Sequence, residues 1–368
     1  MTTHTGQRSA DLRAALAREL ETSGQLTDPT WRKVFEDVPR EPFVPEFWTL
    51  DRDGQQRHVT AADPDWLDLV YTDDALATQL TDGVATSSST APGLMLTMLE
   101  ALDVRDGNQV LETATGTGYN AALLSERLDG LRVVTVEGDP VLARRADSRL
   151  RYCGYTPLVH AGDGRAGYPA RAPYDRLIAT CGFSTLPVTW LEQVRPAGLI
   201  VCPGGWGTAR LVVGADGRAE GRFLPTSSYF MAVRAAGTTG TPAHPGKPTA
   251  AGGRPTGLDL TTVAEDEAFR FVLSLVAPDS GFAFERGDGG GVTAVELWGA
   301  DGAWARAEGN TAWQAGPRML WDAVEAAREL YVTNGRPGRE RFGVTVTAAG
   351  QRVWLDAPSR PVRNTAAL

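Results

Sequence analysis

The chain has 368 residues, 42% of them hydrophobic, and a formal net charge of −9. That is enough apolar material for one large core or two ordinary ones, and an acidic balance without a lysine-rich run argues against nucleic acid as the main partner. No run of about 18 apolar residues offers a membrane span, residues 1–13 contain no apolar signal segment, and Cys153, Cys181 and Cys202 have no metal-ligand spacing, so reduced thiols in a cytoplasm are expected.

Residues 11–20 are predicted to be helical, with Leu12, Leu16 and Leu20 on one face and Gly24 just beyond. A second helix is expected from Asp28 as cap and Pro29 in its first turn, with Trp31, Val34 and Phe35 facing inward. Prolines break residues 38–45, and residues 51–70 read as irregular. The run Thr86-Ser87-Ser88-Ser89-Thr90 precedes Pro92 and a helix over 94–102. Taken alone, such a hydroxyl run is a helix-capping loop.

The organising stretch is Val110-Leu111-Glu112-Thr113-Ala114-Thr115-Gly116-Thr117-Gly118-Tyr119-Asn120, followed by helix formers. It reads as strand, tight turn and helix, which aims backbone N–H groups and a helix N-terminus at whatever lies above the strand end. Glu137 ends the next apolar run, at the distance where an acidic residue suits a ribose diol. The dinucleotide pattern would need a glycine at position 121, which is Ala121, and an E-x-G-x-G-x-G pattern would need one at Ala114. Strands over 109–113, 132–137, 158–160, 174–180 and 199–202 alternate with helices, the signature of a parallel, doubly wound α/β sheet. Glu137, Gly138, Asp163, Gly164 and Thr180 then fall at the carboxyl ends of the strands, where such sheets bind ligands.

The words Val38-Pro39-Arg40-Glu41-Pro42-Phe43-Val44-Pro45, Tyr71-Thr72-Asp73-Asp74-Ala75-Leu76, Ser88-Ser89-Thr90-Ala91-Pro92, Gly118-Tyr119-Asn120-Ala121-Ala122-Leu123, Thr135-Val136-Glu137, Gly162-Asp163-Gly164 and Ala172-Pro173-Tyr174-Asp175-Arg176 occur in one order. With the glycine stretch, they resemble the protein-L-isoaspartate (D-aspartate) O-methyltransferase family over roughly residues 10–235. The resemblance implies a Rossmann-like class I methyltransferase domain that uses S-adenosyl-L-methionine. It places Glu112, Ala114, Thr115, Gly116, Gly118, Tyr119 and Asn120 at the cofactor, Glu137 and Gly138 at the ribose, Asp163 and Gly164 at the adenine, and Thr180 on the same edge. The family's active-site serine falls on Thr90, with Ser89 and Ser88 as neighbours able to take the role. The implied partner is a peptide or protein bearing aspartate or isoaspartate, and no metal is implied.

Residues 209–224 read as a hairpin across Ala215-Asp216-Gly217. Residues 236–257 have the composition of a linker, which divides a domain at 1–235, its residues 8–50 largely helical, from an α+β domain at 258–368. In the latter, 269–277 reads as a strand, 292–298 and 303–307 as a hairpin, 317–331 as a helix, and 342–347 with 352–355 as another hairpin. This second part looks like the extension of family members found beside lanthipeptide and ATP-grasp (graspetide) maturation enzymes, and is expected to bind the substrate peptide. That implies methylation of an aspartate in a ribosomally made, modified peptide, leading to succinimide and isoaspartate. Repair of isoaspartyl sites in aged proteins is the alternative. An NAD-type oxidoreductase is disfavoured by Ala121 and the four histidines in no catalytic pattern, and a non-catalytic peptide-binding module by the intact Glu137 and Asp163.

Overall fold

The computed structural model describes residues 2–51, 54–233 and 252–362. The chain enters through α1 (Thr2–Thr22) and α2 (Pro29–Asp37). The Asp28 carboxylate caps α2 by accepting from Thr30 N–H, and Trp31, Val34 and Phe35 are buried. Residues 46–50, counted with the largely helical part, build β1 (Glu46–Leu50), and the stretch 51–70, expected to be irregular, contains β2 (Gln56–Thr60) and α3 (Trp66–Val70), followed by β3 (Leu76–Thr81) and β4 (Val84–Ser89). These strands form an antiparallel four-stranded sheet in the order β2-β1-β3-β4. Its first hairpin buries Phe47 opposite Val59 and little else. One buried residue per strand leaves no alternation to read in the sequence.

After α4 (Pro92–Ala101) come β5 (Val110–Thr113), α5 (Tyr119–Leu128), β6 (Val133–Glu137), α6 (Pro140–Tyr152), β7 (Leu158–Ala161), β8 (Tyr174–Ala179), α7 (Val188–Gln193), β9 (Val194–Gly204), β10 (Gly207–Val213) and β11 (Ala219–Phe223). Strands β7, β6, β5, β8 and β9 are parallel neighbours, and β10 and β11 continue the sheet antiparallel. Val110, Leu111, Val133, Val136, Leu177 and Ile178 are fully buried, as expected of strands covered by helices on both faces.

The remaining elements are β12 (Arg254–Pro255), α8 (Leu260–Glu265), α9 (Glu267–Val276), β13 (Ser280–Arg286), β14 (Val292–Gly299), β15 (Trp304–Glu308), β16 (Thr311–Ala315), α10 (Leu320–Thr333), β17 (Phe342–Thr347) and β18 (Gly350–Leu355). The strand expected over 269–277 is the helix α9. Asp266 caps it by accepting from Phe269 N–H, and Phe269, Phe271, Val272, Leu273 and Leu275 are all buried. The alternation Phe269-Arg270-Phe271 and Leu273-Ser274-Leu275 imitates a strand, whereas Glu267, Arg270 and Ser274 lie at helical spacing on one face. Strands β12 to β16 make a five-stranded sheet ordered β12-β16-β15-β14-β13.

Strands β17 and β18 do not join that sheet. They extend the main one, where β17 pairs with β11 from Ala219↔Val346 to Arg222↔Gly343, giving nine strands ordered β18-β17-β11-β10-β9-β8-β5-β6-β7. A single hydrophobic cluster runs from Leu111 and Val134 through Phe271 and Trp321 to Val353 and Leu355. The stretch expected to be a linker thus lies between segments that share a sheet and a core. Most of it is outside the described residues, and its end is β12, paired with β16. Among the described residues, no helix is long and apolar enough to cross a membrane.

Candidate cofactor and carboxylate site

At the end of β5 the backbone turns through three left-handed residues: Ala114 (φ 68°), Gly116 (φ 55°) and Gly118 (φ 90°). Alanine in that region costs about 1 kcal/mol, which is why a glycine pattern expects glycine there. The turn is tied down on both sides. Ala114 N–H donates to Val136 O at 2.8 Å, and the Thr180 hydroxyl donates to Ala114 O at 2.7 Å. Gly118 is the N-cap of α5, and a Cβ there would lie 3.3 Å from Ala146 Cβ. Its role is close packing of α5 against α6.

Glu137 closes the turn from β6. Its carboxylate accepts from Gly116 N–H at 2.8 Å and from Asp139 N–H at 3.0 Å, leaving a lone pair on each oxygen for a further donor. Glu112 sits beneath the turn, wholly buried. It accepts from Asn120 Nδ2 at 2.7 Å and from the Thr135 hydroxyl at 2.6 Å, and Thr135 in turn meets the Thr115 hydroxyl at 2.6 Å. Burial pushes the Glu112 carboxyl up to about 7 against these bonds. Glu112 and Thr115 therefore brace the turn from below. Tyr119 is also buried, its ring 5.7 Å from Phe43. Thr113 Oγ1, Asn120 Oδ1 and the Tyr119 hydroxyl are buried without a partner among the described residues.

Asp163 stands at the carboxyl end of β7, as expected, but it is engaged. It accepts from Arg165 N–H at 2.9 Å and pairs with the Arg165 guanidinium at 2.8 Å, which holds its carboxyl below the ordinary range. That partner stands two residues further along the chain. Gly164 lies against β5, where a Cβ would come within 3.2 Å of Thr113 Cβ, while at Gly138 the nearest atom would be Gly162 O at 4.0 Å. The edge thus gathers Ala114, Gly116, Glu137, Gly138, Asp163, Gly164 and Thr180.

The hydroxyl run is not a capping loop. It forms β4, and the N-cap of α4 is Ala91, without a side-chain bond. Asp73 does that work from a distance, accepting from Gly93 N–H at 2.7 Å. The strand end passes over the turn, with Ser88 O 3.5 Å from where a Gly116 Cβ would stand and Ser87 Oγ 3.9 Å from it. Ser89 is buried, its hydroxyl accepting from Arg40 Nε at 3.3 Å. Ser88 and Thr90 are half-buried, and among the described residues neither hydroxyl has a partner.

Arg40 is the residue that sequence reading passed over. It is fully buried and donates to the carbonyls of Val70, Thr72, Asp74, Ser89 and Thr90 at 2.9 to 3.3 Å. Burial pulls its guanidinium down to about 10, still charged at neutral pH. It stood inside a motif already noted, but burial of an arginine leaves no periodic trace. Tyr71 supports the same hub. Its hydroxyl accepts from Arg40 N–H at 3.2 Å and donates to Glu41.

A family model for protein-L-isoaspartate (D-aspartate) O-methyltransferase matches residues 11–225. The chain belongs to this family. The protein-L-isoaspartate O-methyltransferase of Methanopyrus kandleri is 36% identical over 197 residues, 52% of this chain and 76% of that protein. That of Ignicoccus hospitalis is 36% identical over 191 residues, 51% of this chain and 79% of its own length. A solved structure titled protein-L-isoaspartate O-methyltransferase matches at a TM-score of 0.55 and 20% identity, covering 94% of this chain and all of that one. At that identity the likeness concerns fold alone, but it extends over the residues after 252. The C-terminal layer therefore does not set this chain apart from structures carrying that title. By family and fold the protein is a class I, S-adenosyl-L-methionine-dependent carboxyl O-methyltransferase.

Proposed function

We propose that the protein transfers a methyl group from S-adenosyl-L-methionine to a side-chain carboxylate of a polypeptide, with L-isoaspartyl residues as its substrates. The observation that carries this reading is the left-handed turn at 114–118, set between the Glu137 carboxylate and the Ser88 carbonyl. The residues suit the cofactor. Glu137 retains acceptor capacity for the ribose diol, and Thr113 Oγ1 and Asn120 Oδ1 are buried polar atoms without a partner among the described residues. Gly138, Asp163 and Gly164 stand at the adenine end of the same edge. Bound there, S-adenosyl-L-methionine supplies a methyl group on a positively charged sulfur.

The acceptor carboxylate is ionised at neutral pH, so the protein need not supply a strong base. Its task is to place one carboxylate oxygen in line and keep water away. Ser88 and Thr90 have hydroxyls free to donate to that carboxylate. Ser89, held by Arg40, fixes the strand that presents them. The methyl ester is a better leaving group than the acid. Attack by the next backbone nitrogen then expels methanol and closes a succinimide, whose hydrolysis gives aspartate and isoaspartate.

A second reading, methylation of an ordinary aspartate during maturation of a lanthipeptide or graspetide, is favoured by the words at 335–343 and 353–356 and by Thr90 in place of serine. It stands second because a solved isoaspartate methyltransferase shares the C-terminal layer. The two are separated by mass spectrometry on a short isoaspartyl peptide and on a modified precursor peptide with normal aspartate. A methyl ester on the first, followed by loss of methanol, is expected. Turnover of the precursor alone would install the second reading. The cofactor assignment is tested by calorimetry with S-adenosylhomocysteine, where Glu137→Ala should weaken binding by about 2–3 kcal/mol. Unchanged affinity would remove Glu137 from the site.

A further inference from the structure

The turn joining β9 to β10 lies at the same carboxyl edge as the cofactor turn, because β9 runs parallel to β8 and β5. Trp206 occupies it, its backbone held on both sides. Its N–H donates to the Ser274 hydroxyl at 3.0 Å, and its carbonyl accepts from Arg339 Nε at 3.1 Å. Over its ring lies the guanidinium of Arg270, 3.5 Å from the ring centroid and also 4.8 Å from the centroid of Phe282. Tyr229 flanks the Trp206 ring at 5.0 Å and is 63% exposed. The segment carrying Tyr229 returns to the cofactor edge two residues later, where Met231 O accepts from Gly182 N–H at 2.8 Å.

Arginines usually satisfy their N–H groups with carboxylates or carbonyls. Arg40, Arg176, Arg306 and Arg339 all do so here. The Arg270 guanidinium, half-buried between two aromatic rings, has no hydrogen-bond partner among the described residues. Glu267, one turn earlier on α9, acts on it only through its field. A stacked guanidinium keeps its in-plane donors free for a planar anion, and a carboxylate matches that fork in two bonds.

We infer that Arg270, stacked between Trp206 and Phe282, binds a second carboxylate of the polypeptide substrate, that of an acidic residue flanking the one to be methylated. This rests on the polypeptide reading above and adds a charge preference to it. The occupant is a peptide carboxylate, because the segment that carries the exposed Tyr229 beside Trp206 runs on to the cofactor edge at Met231, and because tryptophan, tyrosine and arginine are the side chains that anchor polypeptides.

The test uses fluorescein-labelled isoaspartyl peptides with three glutamates on the N-terminal side, three on the C-terminal side, or glutamines throughout. Binding is read by anisotropy with the full-length protein and S-adenosylhomocysteine, and methyl transfer is read separately. One acidic peptide should bind about tenfold more tightly than the glutamine peptide. Arg270→Gln should erase that preference while leaving the affinity for the glutamine peptide and for S-adenosylhomocysteine unchanged. Arg270→Lys should restore only part of it, since lysine lacks the fork. Equal binding of all three peptides by the wild-type protein, or a preference that survives Arg270→Gln in a variant with unchanged melting temperature, overturns the inference. Acidic-peptide binding that depends on Arg270 but leads to no methyl ester would instead overturn the isoaspartyl reading and leave the Arg270 site standing.

Discussion

Glu112 couples the cofactor turn to pH. Burial raises its carboxyl from the ordinary 4.5 to about 7, so the folded protein holds a proton that the unfolded chain releases. Its contribution to stability is fully present below about pH 4.5 and is lost as pH rises through about 7, amounting to about 2–4 kcal/mol. Glu112→Gln, neutral at every pH, should flatten that part of the profile, as read from urea melts between pH 4.5 and 8. A variant whose profile parallels the wild type would place the titration elsewhere. Arg40 acts differently, through the five carbonyls it holds. Arg40→Met should cost about 3 kcal/mol or more, because those acceptors stay buried. It should also lower methyl transfer more than tenfold while S-adenosylhomocysteine affinity, measured by calorimetry, holds. Equal losses in both would mean that Arg40 supports the cofactor turn and not the carboxylate side.

At the scale of elements, the turn between β5 and α5 carries a conformational cost at Ala114, whose φ is 68°. Ala114→Gly should raise the melting temperature by the equivalent of about 1 kcal/mol, and an unchanged or lower value would show that the alanine side chain packs favourably there. This element was legible in the sequence. Its strands are buried on both faces and so read as apolar runs, and the glycines, Glu137 and Asp163 fall at strand ends. What stayed hidden had weaker or misleading local signals. Strands β1 and β2 bury only Phe47 and Val59, so neither shows a buried-exposed alternation. In helix α9 the polar Glu267, Arg270 and Ser274 recur at helical spacing, but the local alternation Phe269-Arg270-Phe271 and Leu273-Ser274-Leu275 imitates a strand. Arg40 acts through partners that only the fold brings near, and a hydroxyl run that favours caps in isolation became a strand because β3 was there to pair with it.

At the scale of the whole molecule, composition suggested a division that the sheet does not follow. The pairing of β11 with β17 and the shared core imply that the two sides of residues 236–251 hold together without the covalent link. A protease site introduced there and cleaved should leave one species on size-exclusion chromatography under native conditions. Two separate peaks would show that the interface is too weak to define a unit. No local pattern could have shown this, because β17 reads equally well as part of a self-contained hairpin with β18.

The same strand order has a consequence for synthesis. A ribosome completes β5 through β11, with every residue of the cofactor turn, long before it reaches Phe342. Throughout that interval β11 exposes a row of unpaired N–H and C=O groups, the kind of edge that recruits a strand from another chain. The nascent methyltransferase is therefore most vulnerable to aggregation after its catalytic residues are made. A premature stop anywhere before β17 does not yield a trimmed enzyme lacking an accessory part. It yields a sheet with its edge left open, a product for chaperones and proteases.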